Sequence, residues 1–318
     1  MKIAVDAMGG DYAPAEVVAG AVEWCRDTLN KVILVGQQDR LNDELKNYDY
    51  DSSLLSIVNA GQIIGMDESP ALALRKKKDA SILVATRLVK EGLADAVLSC
   101  GSTGAQMAAA LFILGRMEGV ERPPIGVFIP NQAGGTTLLM DAGANVDCKA
   151  SHLVQFAALG GSYLSAVQGL DNPRIALLSN GEEAGKGNSV SIEAYELLQK
   201  QESLNFMGNI EGRDLFSAKS DVIICDGFTG NILLKSIEGL VMFVAHLIKQ
   251  ESGSVPGVFG KLDYTQVGGA PLMGVKGVSV VCHGSSRRNS VYNGISIASD
   301  CIKNNIVQKQ QDIIKNLI

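Results

Sequence analysis

Short apolar runs alternate with amphipathic, helix-length segments along almost the whole chain, and most of the runs end in glycine beside Asp, Asn, Ser or Thr. The runs Ile3–Val5, Lys31–Gly36, Leu55–Asn59, Ala94–Ser99, Ile125–Ile129, Thr136–Met140, Arg174–Leu178, Asp221–Cys225 and Gly277–Cys282 read as strands. Segments Pro14–Asn30, Asp79–Glu91, Thr103–Leu114, Ser151–Ala166, Ser189–Lys200, Asn231–Lys249 and Arg288–Asn304 read as helices. Continuous apolar strands separated by helices specify a parallel sheet covered on both faces. The strands at 125–129 and 136–140 follow one another across Pro130-Asn131-Gln132-Ala133-Gly134-Gly135, which reads as a hairpin. The expectation is an α/β fold, a three-layer α/β/α sandwich with a mixed, mostly parallel sheet. No linker or repeat marks a boundary, so residues 1–318 are expected to form a single α/β domain with a short irregular segment at 250–267.

Charge and cysteine usage narrow the function classes. A net charge of −6 disfavours nucleic acid as a partner, since phosphate-backbone binding needs a basic surface. The run Arg75-Lys76-Lys77-Lys78 is short and reads as a solvated face. Six cysteines show neither a CxxC pair nor metal-ligand spacing, which suits buried thiols in a reducing cytoplasm and predicts no metal. Met1-Lys2-Ile3-Ala4-Val5 reads as a first strand rather than a leader, and no uninterrupted apolar run approaches the ~20 residues of a spanning helix. A cytoplasmic location is expected.

In open α/β sheets ligands bind beyond the carboxyl ends of the strands. Six such junctions are polar and glycine-bearing: Asp6 to Asp11, Gly101 to Gly104, Asp141 to Asp147, Asn180 to Asn188, Asp226 to Asn231 and His283 to Ser286. Any one could be a turn or an N-cap; six in succession argue for a shared crevice. The richest is Ser179-Asn180-Gly181-Glu182-Glu183-Ala184-Gly185-Lys186-Gly187-Asn188, between a strand and a helix. Glycine permits close backbone approach, a helix start supplies free N–H groups, and Lys186 adds a full charge. It is not a Walker A loop, because three residues rather than four separate Gly181 from Gly185 and glycine follows the lysine. The loop reads as a phosphate-binding substrate loop without ATP chemistry. His283, directly beyond a strand, is the histidine best placed to act; His152 and His246 fall within helices.

These junctions, in order, resemble bacterial phosphate acyltransferases. The carriers are Val5-Asp6-Ala7-Met8-Gly9-Gly10-Asp11, Ser99-Cys100-Gly101-Ser102-Thr103-Gly104-Ala105, Asp141-Ala142-Gly143-Ala144-Asn145-Val146-Asp147 and the 179–188 loop, where the family's first asparagine is Ser179. Gly212-Arg213-Asp214, Asp226-Gly227-Phe228-Thr229-Gly230-Asn231, Gly268-Gly269-Ala270-Pro271-Leu272 and His283-Gly284-Ser285-Ser286 complete the set. The resemblance implies a fold like the isopropylmalate dehydrogenase and phosphotransacetylase group, a homodimer, and transfer of a fatty acyl group from acyl-carrier protein to inorganic phosphate. It also implies a longer basic and apolar insertion before Gly268, tied to membrane contact. That region is short here, so only weak peripheral contact is expected.

Attack of phosphate on a thioester needs positioning and oxyanion stabilisation, not a triad, because phosphate is nucleophilic and a thiolate leaves readily. Lys186 is the expected charged group, with Asn180 and Asn188 as hydrogen-bond partners and His283 as a donor. Asp6, Gly9, Gly10, Ser102, Thr103, Gly104, Asn145, Gly181, Glu182, Gly187, Asn231 and Ser285 are expected to line the substrate loops, with no cofactor. Three rivals remain: a covalent route through Cys100 or Cys282, a nicotinamide dehydrogenase lacking its fingerprint, and a non-catalytic acyl-carrier-binding protein. Coenzyme A is an alternative thioester. Arg287-Arg288 and Arg75–Lys78 are candidate docking patches for an acidic carrier.

Overall fold

The computed structural model describes residues 1–257 and 268–317. The strands divide between two sheets, not the one expected, and the chain forms two compact units, residues 1–117 with 265–307 and residues 118–264 with 308–318.

The first unit opens with β1 (Lys2–Asp6), α1 (Ala15–Thr28), β2 (Lys31–Gly36), α2 (Gln38–Leu45) and β3 (Leu55–Asn59). It continues with α3 (Pro70–Lys76), α4 (Ser81–Lys90), β4 (Ala96–Ser99) and α5 (Thr103–Ala109), whose last turn relaxes into a π-helical turn over Ala110–Leu114. The second unit carries β5 (Gly126–Pro130), β6 (Thr136–Met140), α6 (Ala150–Val167), β7 (Arg174–Leu178), α7 (Ser189–Gln199), β8 (Asn205–Ile210), β9 (Val222–Ile224) and α8 (Gly227–Ser252). The chain then gives β10 (Ala270–Leu272), β11 (Val278–Val281) and α9 (Arg288–Lys303) to the first unit, and ends on α10 (Ile306–Lys315).

In the first sheet the order is β10-β11-β4-β1-β2-β3, parallel except for the β10–β11 pair. In the second it is β5-β6-β9-β7-β8, parallel except for the expected β5–β6 hairpin. Each sheet thus has one antiparallel edge among the described residues, and both edge strands contain a proline, Pro130 in β5 and Pro271 in β10. Strands β1, β4 and β9 are buried along nearly their whole length, as strands covered on both faces must be. Helix α1 buries Val17, Val18, Ala21, Val22, Trp24 and Cys25, and the Trp24 indole donates to Ser296 Oγ on α9 at 3.1 Å. Helix α6 is apolar nearly all round; Gly160 lets it approach the sheet so closely that a Cβ there would stand 3.0 Å from Val222.

Helix α8 corrects two expectations. It starts at Gly227, so Asp226 is its N-cap and Asn231 lies within it rather than in a loop. At 26 residues it is long and apolar enough, by length and composition, to cross a bilayer, with only 6 % of its apolar window buried. The sequence hid this because Lys235 and Glu238, which pair at 2.8 Å, interrupt the apolar run. Phe228, Ile232, Leu240, Met242, Phe243 and Leu247 are all exposed on it. Of the segment read as irregular, 250–252 finish α8 and 253–257 leave it through Gly253; 258–267 lie outside the described residues. The Arg75–Lys78 run ends α3, with Lys77 paired to Glu68.

Candidate functional site

In the first unit three junctions are knitted together by backbone. The loops after β1, β4 and β11 leave neighbouring strands, and the Asp11 N–H donates to the Gly284 carbonyl at 2.8 Å. A Cβ on Gly10, at φ +105°, would stand 3.1 Å from the Cys100 carbonyl and 3.2 Å from that of Gly284. A Cβ on Gly9 would stand 2.7 Å from both Asp6 Oδ2 and the Gly101 nitrogen. Asp6 is the buried post of this cluster. Its Oδ1 accepts from the Met8 N–H at 3.2 Å and its Oδ2 from Ser99 Oγ at 2.7 Å, and burial raises its carboxyl above the ordinary value despite these bonds. Asp6 therefore shapes the loop from beneath and is too buried to line it. Ser102 caps α5, accepting from the Ala105 N–H at 3.4 Å, and Thr103 stands exposed on its first turn. Gly104 is small for packing: a Cβ there would stand 2.7 Å from Pro70.

His283 is exposed, with its ring orientation fixed. Nδ1 accepts from the Ser285 N–H at 3.2 Å and lies 2.7 Å from Ser285 Oγ, which leaves the proton of the neutral ring on an outward Nε2. Ser285 thus holds the histidine. Cys100 and Cys282 are buried behind these loops. Its hydrogen bond to Cys282, together with burial, pushes the Cys100 thiol well above its usual range, opposite to what a thiolate nucleophile needs. Arg287 stacks on the Tyr12 ring at 3.4 Å and approaches Glu16 at 3.4 Å, while Arg288 approaches Glu23 at 3.4 Å. Both charges of the candidate docking patch are matched locally.

The second unit is built differently. Asp141, fully buried, organises the loop after β6: Oδ1 accepts from Ile125 and Ala144, and Oδ2 from the backbone and side-chain amides of Asn145. Burial raises its carboxyl too. Asn145 also donates to the Pro123 carbonyl at 2.9 Å, so its amide nitrogen serves the loop. The first turn of α8 packs on this loop; Gly227 donates to the Asn145 carbonyl, and exposed Asn231 lies beside Gly143.

The loop after β7 is open and charged. Lys186 is exposed and makes no ion pair among the described residues, its stem lying over buried Gly181. Glu182 is turned to Lys219 at 3.5 Å, and Lys219 is anchored on Asp214 at 2.7 Å, holding that carboxyl below its usual range. The second carboxylate of the loop, Glu183, stays within it, its Oε2 2.9 Å from where a Cβ on Gly181 would stand. Asn188 caps α7, accepting from Ser191 N and Oγ at 2.9 and 3.1 Å, so only its amide nitrogen remains for a ligand. Asn180 is exposed at the loop entrance, and Gly187 takes φ +117°. Sequence reading missed Asn209 and Lys219, and noted Asp214 only as part of the Gly212-Arg213-Asp214 motif. Asn209 lies on β8, whose Asn205-Phe206-Met207-Gly208-Asn209 does not look like a strand, and it donates to the Glu183 carbonyl at 2.8 Å. A cavity of about 540 Å³ at the start of β7 and β8, lined by Ser162, Asn205 and Lys309 among others, includes none of the expected residues.

Comparison with known proteins fits this arrangement. Residues 1–309 match the model of a family described as fatty acid synthesis protein. The chain is 61 % identical over 312 residues to the phosphate acyltransferase of Syntrophomonas wolfei, covering 98 % of each, and 48 % identical to that of Desulforamulus reducens, covering 99 % of this chain and 98 % of the other. Its fold is similar to the EutD phosphotransacetylase of Staphylococcus aureus, with a TM-score of 0.63 at 18 % identity and 94 % of each chain covered. Motifs, α/β fold and whole-length identity agree: the chain is an acyltransferase and belongs to the phosphate acyltransferase family.

Proposed function

We propose that the protein transfers a fatty acyl group from acyl-carrier protein to inorganic phosphate, giving acyl-phosphate for phospholipid synthesis. The observation that carries this reading is the loop after β7, where an unpaired Lys186 stands among glycines while its carboxylate neighbour Glu182 is drawn off by Lys219. A phosphate oxygen attacks the thioester carbonyl, the C–S bond breaks, and the thiol of the carrier leaves. Lys186 and the amides near Gly187 and Asn188 hold phosphate charge. The N–H groups of the helix start at Ser102–Gly104, for an oxyanion, and His283, as a donor, are assigned roles on their chemistry alone. No step requires a metal or cofactor.

The protein is further proposed to be cytoplasmic, which its six free cysteines support, and to act as a homodimer with at most weak peripheral membrane contact. The exposed apolar face of α8 supports such an association. A Phe243→Glu substitution should then lower the mass measured by light scattering from two chains to one.

The test of function is hydroxamate formation from palmitoyl-carrier protein in hydroxylamine, with and without phosphate. Phosphate-dependent product supports the reading. Binding of the carrier without product favours a non-catalytic carrier-binding protein, and turnover of palmitoyl-coenzyme A in preference to the carrier thioester replaces the donor.

A further inference from the structure

Two buried polar atoms at the loop after β7, Ser179 Oγ and Asn209 Oδ1, have no hydrogen-bond partner among the described residues. Buried polar groups are seldom left so, and each unpaired one needs a reason. Asn209 is 7 % exposed, and its amide orientation is fixed because Nδ2 must be the arm that donates to the Glu183 carbonyl. The other arm is therefore an acceptor held at the loop.

A strand irregularity puts it there. Along β7 and β8 the register passes from Ile175 opposite Phe206 to Leu177 opposite Asn209, and Gly208, at φ +99°, takes up the extra residue. In unbroken pairing Leu177 would face Gly208, and Asn209 would point to the other face of the sheet. The bulge re-aims Asn209. Its side chain now shares a face with Leu177 and so with Ser179, two residues further along β7, a spacing of about 6–7 Å. Ser179 Oγ itself lies 3.2 Å from where a Cβ on Gly187 would stand, beneath the backbone between Lys186 and Asn188.

We propose that Ser179 and Asn209 form a subsite that selects a protonated tetrahedral oxyanion. Ser179 donates its hydroxyl proton to an unprotonated oxygen of the anion, and Asn209 Oδ1 accepts from the P–OH. Inorganic phosphate at neutral pH carries both kinds of oxygen, whereas sulfate carries no proton and leaves Asn209 unpaired. The same contact keeps the protonated oxygen on the strand side, so that an unprotonated oxygen attacks the thioester. The inference rests on the proposal that this loop binds phosphate, and adds how phosphate is told from other anions.

Competition experiments in the hydroxamate assay test it. Arsenate, which is protonated like phosphate, should compete at concentrations at least about tenfold below those needed for sulfate. Asn209→Ala should raise the KM for phosphate about tenfold or more while leaving the Ki of sulfate within about twofold. Ser179→Ala should weaken phosphate and sulfate alike, and neither variant should change the KM for the thioester. If sulfate competes as well as arsenate with the wild-type enzyme, the subsite is refuted, and that measurement decides even if Asn209→Ala does not fold. Equal weakening of phosphate and sulfate by Asn209→Ala reduces Asn209 to a support for Glu183 and overturns the proposal. Absence of any phosphate-dependent product removes the functional reading and the inference with it; normal phosphate turnover without an arsenate–sulfate gap removes the inference alone.

Discussion

The loops of the first unit and the loop after β7 in the second do the same structural task, turning the chain from strand to helix, with opposite materials. Around Asp6 the junctions are locked by glycine contacts, backbone hydrogen bonds and one buried carboxylate. Around Lys186 the loop is exposed and set by charges: Glu182 on Lys219, Lys219 on Asp214, and Lys186 itself unpaired. Packing fixes position at the expense of tolerance to any added atom, whereas exposed charge leaves side chains free to meet a ligand but holds them only weakly. A site that binds a small anion benefits from the second kind of loop, and an enzyme that must aim groups benefits from the first.

The largest break in this comparison should come from Lys186→Ala. Loss of this loop cation should lower kcat/KM roughly 10²- to 10³-fold with an unchanged unfolding midpoint, as for removal of one oxyanion donor. Near-normal turnover would mean that the open loop is not where the charge is needed. Gly9→Ala should do the reverse. Its Cβ would meet Asp6 and the Gly101 backbone at 2.7 Å, so urea unfolding should show a loss of about 1–3 kcal/mol. An unchanged midpoint would show that the first unit's cluster gives way more easily than its contacts indicate.

Smaller effects sharpen the contrast. Lys219→Met releases Glu182 toward the loop and should raise the KM for phosphate roughly two- to fivefold, an effect that added salt diminishes because both groups are exposed. Acid should separate the two regions by sign. Lys219 lowers the Asp214 pKa, so the stability from this pair is present above the unfolded value of 3.8 and fades as pH falls through the lower folded value. Burial raises the Asp6 pKa, so on its account the folded state gains as pH falls through that raised value. Asp214→Asn should therefore flatten the acid limb of the stability curve, seen by chemical denaturation between pH 5 and 3; an unchanged limb would remove the charge pair from the account. The smallest effect is expected from Arg287→Gln with Arg288→Gln. With Glu16 and Glu23 already matching both charges, the KM for the proposed acyl-carrier-protein donor should move by under about threefold, and a larger rise would restore this patch as a docking surface.

The alternation of runs made the α/β class legible, and the hairpin after Ile129 disclosed a mixed sheet. What escaped were elements whose signal is tertiary. Strand β8 carries asparagine and glycine because its bulge serves the loop, so periodicity could not find it. Helix α3 was missed because its short apolar stretch runs straight into the basic run, and α8, read from Asn231, starts four residues earlier, with its bilayer-spanning length masked by a Lys–Glu pair that satisfies itself on the helix surface. Among site residues, glycine and asparagine look the same in sequence whether they meet ligand or neighbour. Gly104 is small for Pro70 and Asn145 serves Asp141, facts that only packing reveals. Lys186 was conspicuous in the sequence because a lone lysine among glycines has few structural uses. Asn209 was not, because its meaning depends on a carbonyl 26 positions earlier in the chain.

The prolines in β5 and β10 bear on how the protein behaves at high concentration. A strand on the rim of a sheet offers a template on which a stray chain can crystallise as one more strand, the first step toward a fibre. Proline lacks the hydrogen that such a guest would need and cannot join a regular ladder on its outer side. Both sheets finish one rim in this way. At those two rims the chain offers no ribbon to grow on, even though α8 displays a sticky apolar face to its surroundings.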